Sequence, residues 1–281
     1  MIDRICISLN NACNLKCRYC HFREKAASIV AAPMDVVRIL RNVRAYLDRH
    51  GVPVFKIGFV GNGEPMLAYD RLRGAVEEIA DLLDAGRIAA YTITNGTLVD
   101  GARIRFLHGH GVNVGFSLDG PRELHDPLRD GSFDRTMAGI DLYREVVGRD
   151  PSINATVGRE TLARQDEVID FFARFGSRIT FSRMVGAMGI PLGEYNGFLE
   201  RAGRRLDVRR GGLDCTMYGG RCGAGVNNFF FANGHVWICG NCVDLPPLSR
   251  ADVDLDEIPL LAAEDIDRDL CYRESRGKDR R

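Results

Sequence analysis

The chain has 281 residues, and its 38 Lys plus Arg residues balance 38 Asp plus Glu residues. This length suits one large domain with a small one, or a single barrel with an extension. The zero net charge excludes a general nucleic-acid footprint, and no apolar run approaches the roughly 20 residues needed to cross a bilayer. The N-terminus lacks the apolar core of a secretion signal, so we expect a cytosolic protein with neither nucleic-acid nor membrane partners.

Strand and helix patterns alternate along the first 185 residues. Six apolar runs are typical of buried parallel strands, at residues 2–9, 54–60, 89–94, 112–118, 153–157 and 179–184. Apolar residues at helical spacing lie between them, at residues 34–49, 71–83, 102–108, 133–147 and 165–175. The pattern predicts an α/β fold, a partial (β/α)6 TIM barrel, with a flat doubly wound sheet as the alternative.

The alternation stops near residue 185, where a Gly- and Arg-rich segment begins. We expect little regular structure there, and we divide the chain into a barrel at residues 1–190 and a small Cys-rich extension at residues 191–281. Within the extension, Asn233 and Gly234 stand between two strand-forming runs, 229–231 and 235–238. An Asn-Gly pair in this position predicts a β-hairpin.

The cysteines fall into two groups. Four of the nine lie before residue 21, five lie after residue 214, and none lies between. In a reducing compartment such groups are typical of metal ligands rather than disulfides. Cys13, Cys17 and Cys20 closely follow the first predicted strand. Iron–sulfur clusters usually take four protein ligands, so three cysteines would leave one iron open; a structural zinc site is the alternative.

Polar loops follow the next three predicted strands, at residues 61–65, 94–97 and 117–121. In a parallel barrel these loops emerge on one face, where active sites are built. Gly, Asn and Asp also form ordinary turns, which is the alternative explanation of each loop taken singly. Together they predict a polar site around the cysteine triplet.

The cysteine spacing, with an aromatic residue before Cys20, resembles the signature of the radical SAM superfamily. The loop at 61–65 resembles that superfamily's Gly-Gly-Glu-Pro motif, and Asn62 is its one departure. The resemblance implies a [4Fe-4S] cluster held by Cys13, Cys17 and Cys20, whose open iron binds S-adenosylmethionine.

The same resemblance implies which residues bind this cofactor. Tyr19 would lie beside the adenine, Glu64 would be the acidic partner of the methionine amino group, and Asp119 would lie near the ribose and carboxylate. Arg129 is a candidate partner for a carboxylate, or else forms a surface ion pair. The full predicted set is Tyr19, Gly61, Asn62, Gly63, Glu64, Asn95, Ser117, Asp119 and Arg129.

The segment 117–129 narrows the resemblance to radical SAM enzymes with a SPASM or twitch extension, which commonly act on peptides or proteins. The spacing from Cys222 through Gly234 to Cys239 resembles the opening of that extension. It implies an auxiliary [4Fe-4S] cluster, with a zinc site as the alternative. Candidate ligands are Cys215, Cys222, Cys239, Cys242 and Cys271, with either of the last two completing the set.

The function implied by this resemblance is oxidative modification of a peptide after cleavage of S-adenosylmethionine to a 5′-deoxyadenosyl radical. The product would carry a thioether or carbon–carbon crosslink, or a new double bond. The chain begins at its first strand, so we expect a separate recognition protein or direct capture of the peptide, with a reductant such as flavodoxin or ferredoxin. The alternatives are dehydrogenation of a small molecule such as an aminocyclitol, and a non-catalytic iron–sulfur or zinc protein. No catalytic residue is predicted.

Overall fold

One mixed sheet of nine strands organises the protein. The computed structural model describes residues 1–20, 22, 32–185, 188–208, 223–243 and 245–261. The strands are β1 Arg4–Ile7, β2 Phe55–Phe59, β3 Ile88–Thr94, β4 Asn113–Ser117, β5 Ser152–Val157, β6 Ile179–Arg183, β7 Asn228–Ala232, β8 His235–Trp237 and β9 Ser249–Arg250. Strands β1 to β6 lie in chain order and are all parallel. Each lies within two residues of a predicted strand.

Nine α-helices accompany the strands in the described part of the chain. They are α1 Val36–His50, α2 Tyr69–Glu78, α3 Ala80–Asp84, α4 Gly101–Gly109, α5 Arg122–Leu128, α6 Phe133–Val147, α7 Arg159–Ala163, α8 Gln165–Phe172 and α9 Leu192–Ala202. In α1 the Asp35 side chain accepts from the Arg38 N–H at 3.0 Å, and Gly51 ends the helix in the left-handed conformation. None of these helices combines the length and apolarity required to cross a membrane.

Two expectations about the helices are wrong. The predicted helix at 71–83 is two helices, α2 and α3, which are separated at Ile79. Helix α9 lies in the segment where we expected little regular structure. Its buried stripe of Tyr195, Phe198 and Leu199 packs on the core, whereas its two glycines weaken the local helix signal. Burial of this stripe against the core, rather than local helix propensity, therefore stabilises α9.

The two faces of the parallel sheet differ in chemistry. One face packs against the helices and is apolar. Its side chains have no exposed surface at Ile5, Phe55, Ile57 and Phe116. Because side chains alternate along a strand, the residues between these point to the other side, which we call the inner face. The inner face includes Arg4, Cys6, Lys56, Gly58, Tyr91, Asn154, Thr156, Thr180 and Ser182.

The predicted hairpin is confirmed. Strand β7 pairs antiparallel with β8, with Phe230 opposite Trp237. The turn contains Asn233 at φ 53° and Gly234 at φ 75°, as a two-residue hairpin loop requires. Strand β7 also pairs in parallel with β1, so the hairpin continues the barrel sheet. The division into domains at residue 190 stays a prediction.

Candidate cluster and cofactor site

The loop after β1 carries the three N-terminal cysteines. Cys13 is exposed, and Cys17 and Cys20 are half-buried. Contacts within the loop set its shape. The Ala12 N–H donates to Asn10 Oδ1 at 2.9 Å, and the Cys20 N–H donates to the Cys17 carbonyl at 3.2 Å. This turn holds the thiols near enough for their charges to interact.

Burial and neighbouring charges act on the thiols of this loop. Burial raises the pKa of Cys17 to about 11, and the Arg129 guanidinium opposes that rise. The charges of Asp119, Cys20 and Cys13 raise it further. A thiol must lose its proton to bind metal, so cluster binding at this loop would release protons. Among the described residues, no three His, Cys, Asp or Glu side chains converge as one metal ion requires. A cluster joins its cysteines through its own irons and sulfides, so ligands spread along one loop fit it.

The loop after β2 lies directly on the cysteine loop. The Glu64 N–H donates to the Ala12 carbonyl at 2.8 Å, and Asn10 Nδ2 donates to the Glu64 carbonyl at 2.9 Å. A Cβ at Gly63 would lie 1.8 Å from Asn10 Oδ1 and 2.4 Å from the Ala12 carbonyl oxygen. Only glycine permits this approach. The backbone carbonyls of residues 61–63 accept no hydrogen bond from the described residues, which leaves them available to an ammonium group.

The Glu64 carboxylate holds the loops after β2 and β3 together. It is 2% exposed, and burial raises its pKa while hydrogen bonds oppose the rise. Oε1 accepts from Thr94 Oγ1 at 2.6 Å and from the Met66 N–H at 3.0 Å. Oε2 accepts from the Asn95 N–H at 2.8 Å. The carboxylate therefore has a structural use, and its role as partner of the amino group stays a prediction.

Two asparagines connect these loops to the cysteine loop. Asn95 Nδ2 donates to Asn14 Oδ1 at 2.9 Å, and Asn62 Nδ2 donates to Asn11 Oδ1 at 2.9 Å. The Asn62 side chain is thus used in a contact with the loop that carries the cysteines. Ser117, the last residue of β4, is also buried. The loops after the first three strands consequently form one hydrogen-bonded unit.

A buried ion pair joins the loop after β4 to the same unit. Arg129 Nε donates to Asp119 Oδ2 at 2.7 Å, and Asp119 has no exposed surface. The Tyr19 hydroxyl donates to the same oxygen at 2.7 Å, and the Thr156 N–H donates to Oδ1 at 2.8 Å. The Arg129 guanidinium lies 5.4 Å from the centre of the Tyr19 ring. The alternative of a surface ion pair for Arg129 is therefore wrong.

This geometry can be compared with known proteins. The family model described as the radical SAM superfamily matches residues 7–182, which is more than half of the chain. The chain belongs to the radical SAM superfamily. A serine-type anaerobic sulfatase-maturating enzyme of Klebsiella aerogenes is 30% identical over 177 residues, which cover 59% of this chain and 42% of that protein. An uncharacterized protein of Methanothermobacter thermautotrophicus is 30% identical over 59% of this chain and 62% of its own length. The chain thus spans less than two thirds of either relative.

Solved structures of radical SAM proteins have the same fold. The structure titled native anSMEcpe with bound AdoMet and Cp18Cys peptide aligns with a TM-score of 0.72 at 21% identity, covering 91% of this chain and 79% of that one. Streptococcus suis SuiB bound to S-adenosylmethionine aligns with a TM-score of 0.67 at 17% identity, covering 91% and 62%. The predicted partial barrel is confirmed, and the flat sheet is excluded.

The second cysteine group of this radical SAM protein is described in part. Cys239 is half-buried and Cys242 is buried, and the Cys242 N–H donates to the Cys239 carbonyl at 2.9 Å. Burial raises the pKa of the Cys6 thiol, and the charge of Cys239 adds to the rise. The other candidate ligands lie outside the described residues: Cys215, Cys222 and Cys271.

Sequence reasoning missed the contribution of His125. Its ring has no exposed surface. Nδ1 accepts from the Asp119 N–H at 3.3 Å, and Nε2 lies 3.0 Å from Ser132 Oγ. The histidine therefore holds the backbone of the residue that pairs with Arg129. A histidine four residues before an arginine carries no local signal of this kind.

Replacing Arg129 by methionine is expected to destabilise the protein by about 3–5 kcal/mol, because the Asp119 carboxylate would stay buried without its cation. Urea unfolding of the metal-free protein measures the difference. The matched control is Arg122→Met, which removes a surface ion pair with Asp134 and should change stability by less than about 1 kcal/mol. Equal effects of the two substitutions would contradict the role of the buried pair.

Acid is expected to destabilise the fold through His125. Burial lowers its pKa from 6.5 to about 4, so between these values the unfolded chain binds more protons than the folded one. The contribution of His125 to the free energy of unfolding is then fully present above pH 6.5, and it falls by roughly 3 kcal/mol as the pH drops to 4. Urea unfolding at pH 7.0 and 4.5 should show a smaller loss of stability in acid for His125→Gln than for the parent. An identical pH dependence of stability in the two proteins would refute this assignment.

Proposed function

We propose that this protein cleaves S-adenosylmethionine reductively and uses the resulting radical to oxidise a peptide. The observation that carries the proposal is the contact between the loop after β2 and the cysteine loop. The Glu64 N–H donates to the Ala12 carbonyl at 2.8 Å. The neighbouring backbone carbonyls of residues 61–63 accept no hydrogen bond from the described residues, and their loop contacts the loop that carries the three thiols. An electron carrier or a zinc module has no need of such a cradle.

Different residues of the site would bind the cluster and the separate parts of S-adenosylmethionine. Cys13, Cys17 and Cys20 would hold the [4Fe-4S] cluster, and the carbonyls of residues 61–63 would accept from the cofactor's ammonium group. The ring of Tyr19, fixed through its hydroxyl by Asp119, would support the adenine. When bound, the cluster and S-adenosylmethionine supply the 5′-deoxyadenosyl radical. The protein's own part is to orient the cofactor and to keep water from the radical.

Two lines of support favour a peptide substrate. The Klebsiella aerogenes relative is named as a sulfatase-maturating enzyme, and one aligned structure is titled with a bound peptide. A peptide that loses one hydrogen atom must lose a further electron, and a proton to the solvent, to become crosslinked or unsaturated. An auxiliary [4Fe-4S] cluster, held by Cys239 and Cys242 with ligands from the rest of the predicted set, would supply an acceptor. Flavodoxin or ferredoxin would serve as reductant, and a separate protein would present the peptide.

One alternative is supported by a second structural comparison. The structure titled BtrN in complex with AdoMet and 2-DOIA aligns over 99% of this chain and 90% of that one, with a TM-score of 0.51 at 15% identity. The same fold would serve dehydrogenation of a small molecule equally well. The identity of the oxidised compound separates the two functions.

The test uses the full chain reconstituted with iron and sulfide under anaerobic conditions. With reductant and S-adenosylmethionine we expect 5′-deoxyadenosine and methionine in equal amounts. Two clusters predict about eight irons per chain, whereas about four irons with one zinc would exclude the auxiliary cluster. A candidate peptide from a neighbouring short reading frame should lose two hydrogen atoms, as read by mass spectrometry. A fully loaded protein that forms no 5′-deoxyadenosine would refute the proposal.

A further inference from the structure

Three asparagine side chains connect the loop after β2 to the hairpin of β7 and β8. Asn62 Nδ2, in the loop after β2, donates to Asn11 Oδ1 at 2.9 Å. Asn11 lies in the loop that carries the cysteines, and its Nδ2 donates to Asn233 Oδ1 at 2.6 Å. Asn233 lies in the hairpin turn, at φ 53°. We call these three side chains the amide bridge.

Both ends of the amide bridge are buried. Asn62 is 6% exposed and Asn233 is 8% exposed. Asn62 Oδ1 and Asn233 Nδ2 have no hydrogen-bond partner, so the bond to Asn11 is the one that each of these two amide groups makes. Turning all three amides by 180° would keep both bonds, so the connection does not depend on how their O and N atoms are assigned. Breaking the bridge would leave further buried polar atoms unsatisfied, which is costly.

The hairpin also contacts the same loop through strand β1. The Ser8 N–H donates to the Phe231 carbonyl at 2.8 Å, and Ser8 Oγ accepts from the Asn62 N–H at 3.0 Å. A Cβ at Gly61 would lie 2.9 Å from Cζ of Phe230, so the ring of Phe230 lies directly against the loop. Backbone, ring and amide contacts therefore join the hairpin to the loop after β2.

The amide bridge restricts the part of the loop that would bind an ammonium group. The carbonyls of residues 61–63 can accept from such a group only if their peptide planes keep one orientation. The Asn62 side chain is held by Asn11, and Asn11 is held by the hairpin turn, so the loop is ordered before any ligand arrives. Ordering a site in advance raises affinity because less freedom is lost on binding. A glycine at position 62 has no side chain and could not form the bridge.

We propose that Asn233 is a positioning residue for S-adenosylmethionine, and that it acts on the cofactor loop through Asn11 and Asn62. The affinity for the cofactor would then depend on the placement of the hairpin. By linkage, cofactor binding would stabilise the hairpin to the same extent. The identification of the ligand as S-adenosylmethionine rests on the proposed function. The bridge itself rests on the two hydrogen bonds of Asn11.

The first test is Asn233→Gly. This substitution removes the acceptor at the hairpin end and keeps the turn, because glycine adopts positive φ without strain. Calorimetric titration of the reconstituted full chain with S-adenosylmethionine should show roughly fivefold weaker binding, the scale of one hydrogen bond. In an Asn62→Gly background the bridge is already broken, so the same substitution should change the affinity by less than about twofold. A general weakening of the fold would persist in that background.

Asn227→Ala is the matched control. Asn227 directly precedes β7, and its Nδ2 donates to Asp3 Oδ1 at 3.2 Å, so its amide contacts the start of the barrel sheet instead of the cofactor loop. The affinity should equal that of the parent. Hydrogen exchange is measured by mass spectrometry on the same preparations without the cofactor. Peptides covering residues 61–67 should exchange at least about threefold faster in Asn233→Gly and at the parental rate in Asn227→Ala.

Where the parent binds S-adenosylmethionine, three results would overturn the proposal: parental affinity in Asn233→Gly, an equal loss in Asn227→Ala, or a loss that persists in the Asn62→Gly background. If Asn233→Gly does not fold, Asn11→Ala replaces it, since it breaks both bonds of the bridge, and parental affinity has the same meaning. A parent that binds no S-adenosylmethionine refutes the proposed function. Hydrogen exchange then decides the bridge by itself: faster exchange in Asn233→Gly supports it, and parental exchange overturns it.

Discussion

Alanine in place of any one of Cys13, Cys17 or Cys20 is expected to abolish 5′-deoxyadenosine formation. A cluster that already has only three protein ligands cannot lose another and stay in place. Iron content should fall by about four atoms per chain, since the auxiliary cluster would be unaffected. Anaerobic reconstitution, iron analysis and product chromatography measure both effects on the same sample.

Cys6→Ala is the matched control for these variants. Cys6 lies in β1, its thiol lies 3.5 Å from the Tyr91 hydroxyl, and it belongs to neither predicted ligand set. The control should keep its full iron content and its rate of cofactor cleavage. If a triplet variant retained cleavage, or if Cys6→Ala lost the cluster, the ligand assignment would be wrong.

Gly63→Ala is expected to weaken S-adenosylmethionine binding about 100-fold, which corresponds to about 3 kcal/mol. A Cβ at this position would overlap the Ala12 carbonyl oxygen at 2.4 Å, so the backbone itself must move. The shift would break the hydrogen bonds that join Glu64 to Asn10 and to Ala12. Calorimetric titration of reconstituted protein with the cofactor gives the affinity directly.

The control for this substitution is Gly74→Ala. Gly74 lies within α2, and a Cβ there would meet no atom within 4 Å. Alanine also favours the helix by up to about 1 kcal/mol, so cofactor affinity should be unchanged and stability equal or higher. Unchanged affinity in Gly63→Ala would show that the loop does not bind the cofactor.

The periodicity and spacing of residues in the sequence are enough to predict the six parallel strands and the hairpin. The six predicted apolar runs correspond to β1 to β6. Strands of a parallel sheet are buried on both faces, and a continuous apolar run is therefore typical of them. The pair Asn233 and Gly234 became the hairpin turn, since both residues adopt positive φ. The topology of a parallel barrel then placed the polar loops on one face. These features depend on local chemistry, which the chain itself displays.

The tertiary structure alone decided which polar groups are used inside the protein. The Glu64 carboxylate accepts hydrogen bonds from the Thr94 hydroxyl and the Asn95 N–H. Asp119 forms a buried ion pair with Arg129. His125 joins that pair through the backbone of Asp119. The adjacent cations Arg4 and Lys56 are far apart in sequence and meet only through strand register. Local sequence determines periodicity, whereas burial and register between distant segments determine which charged side chains become neighbours.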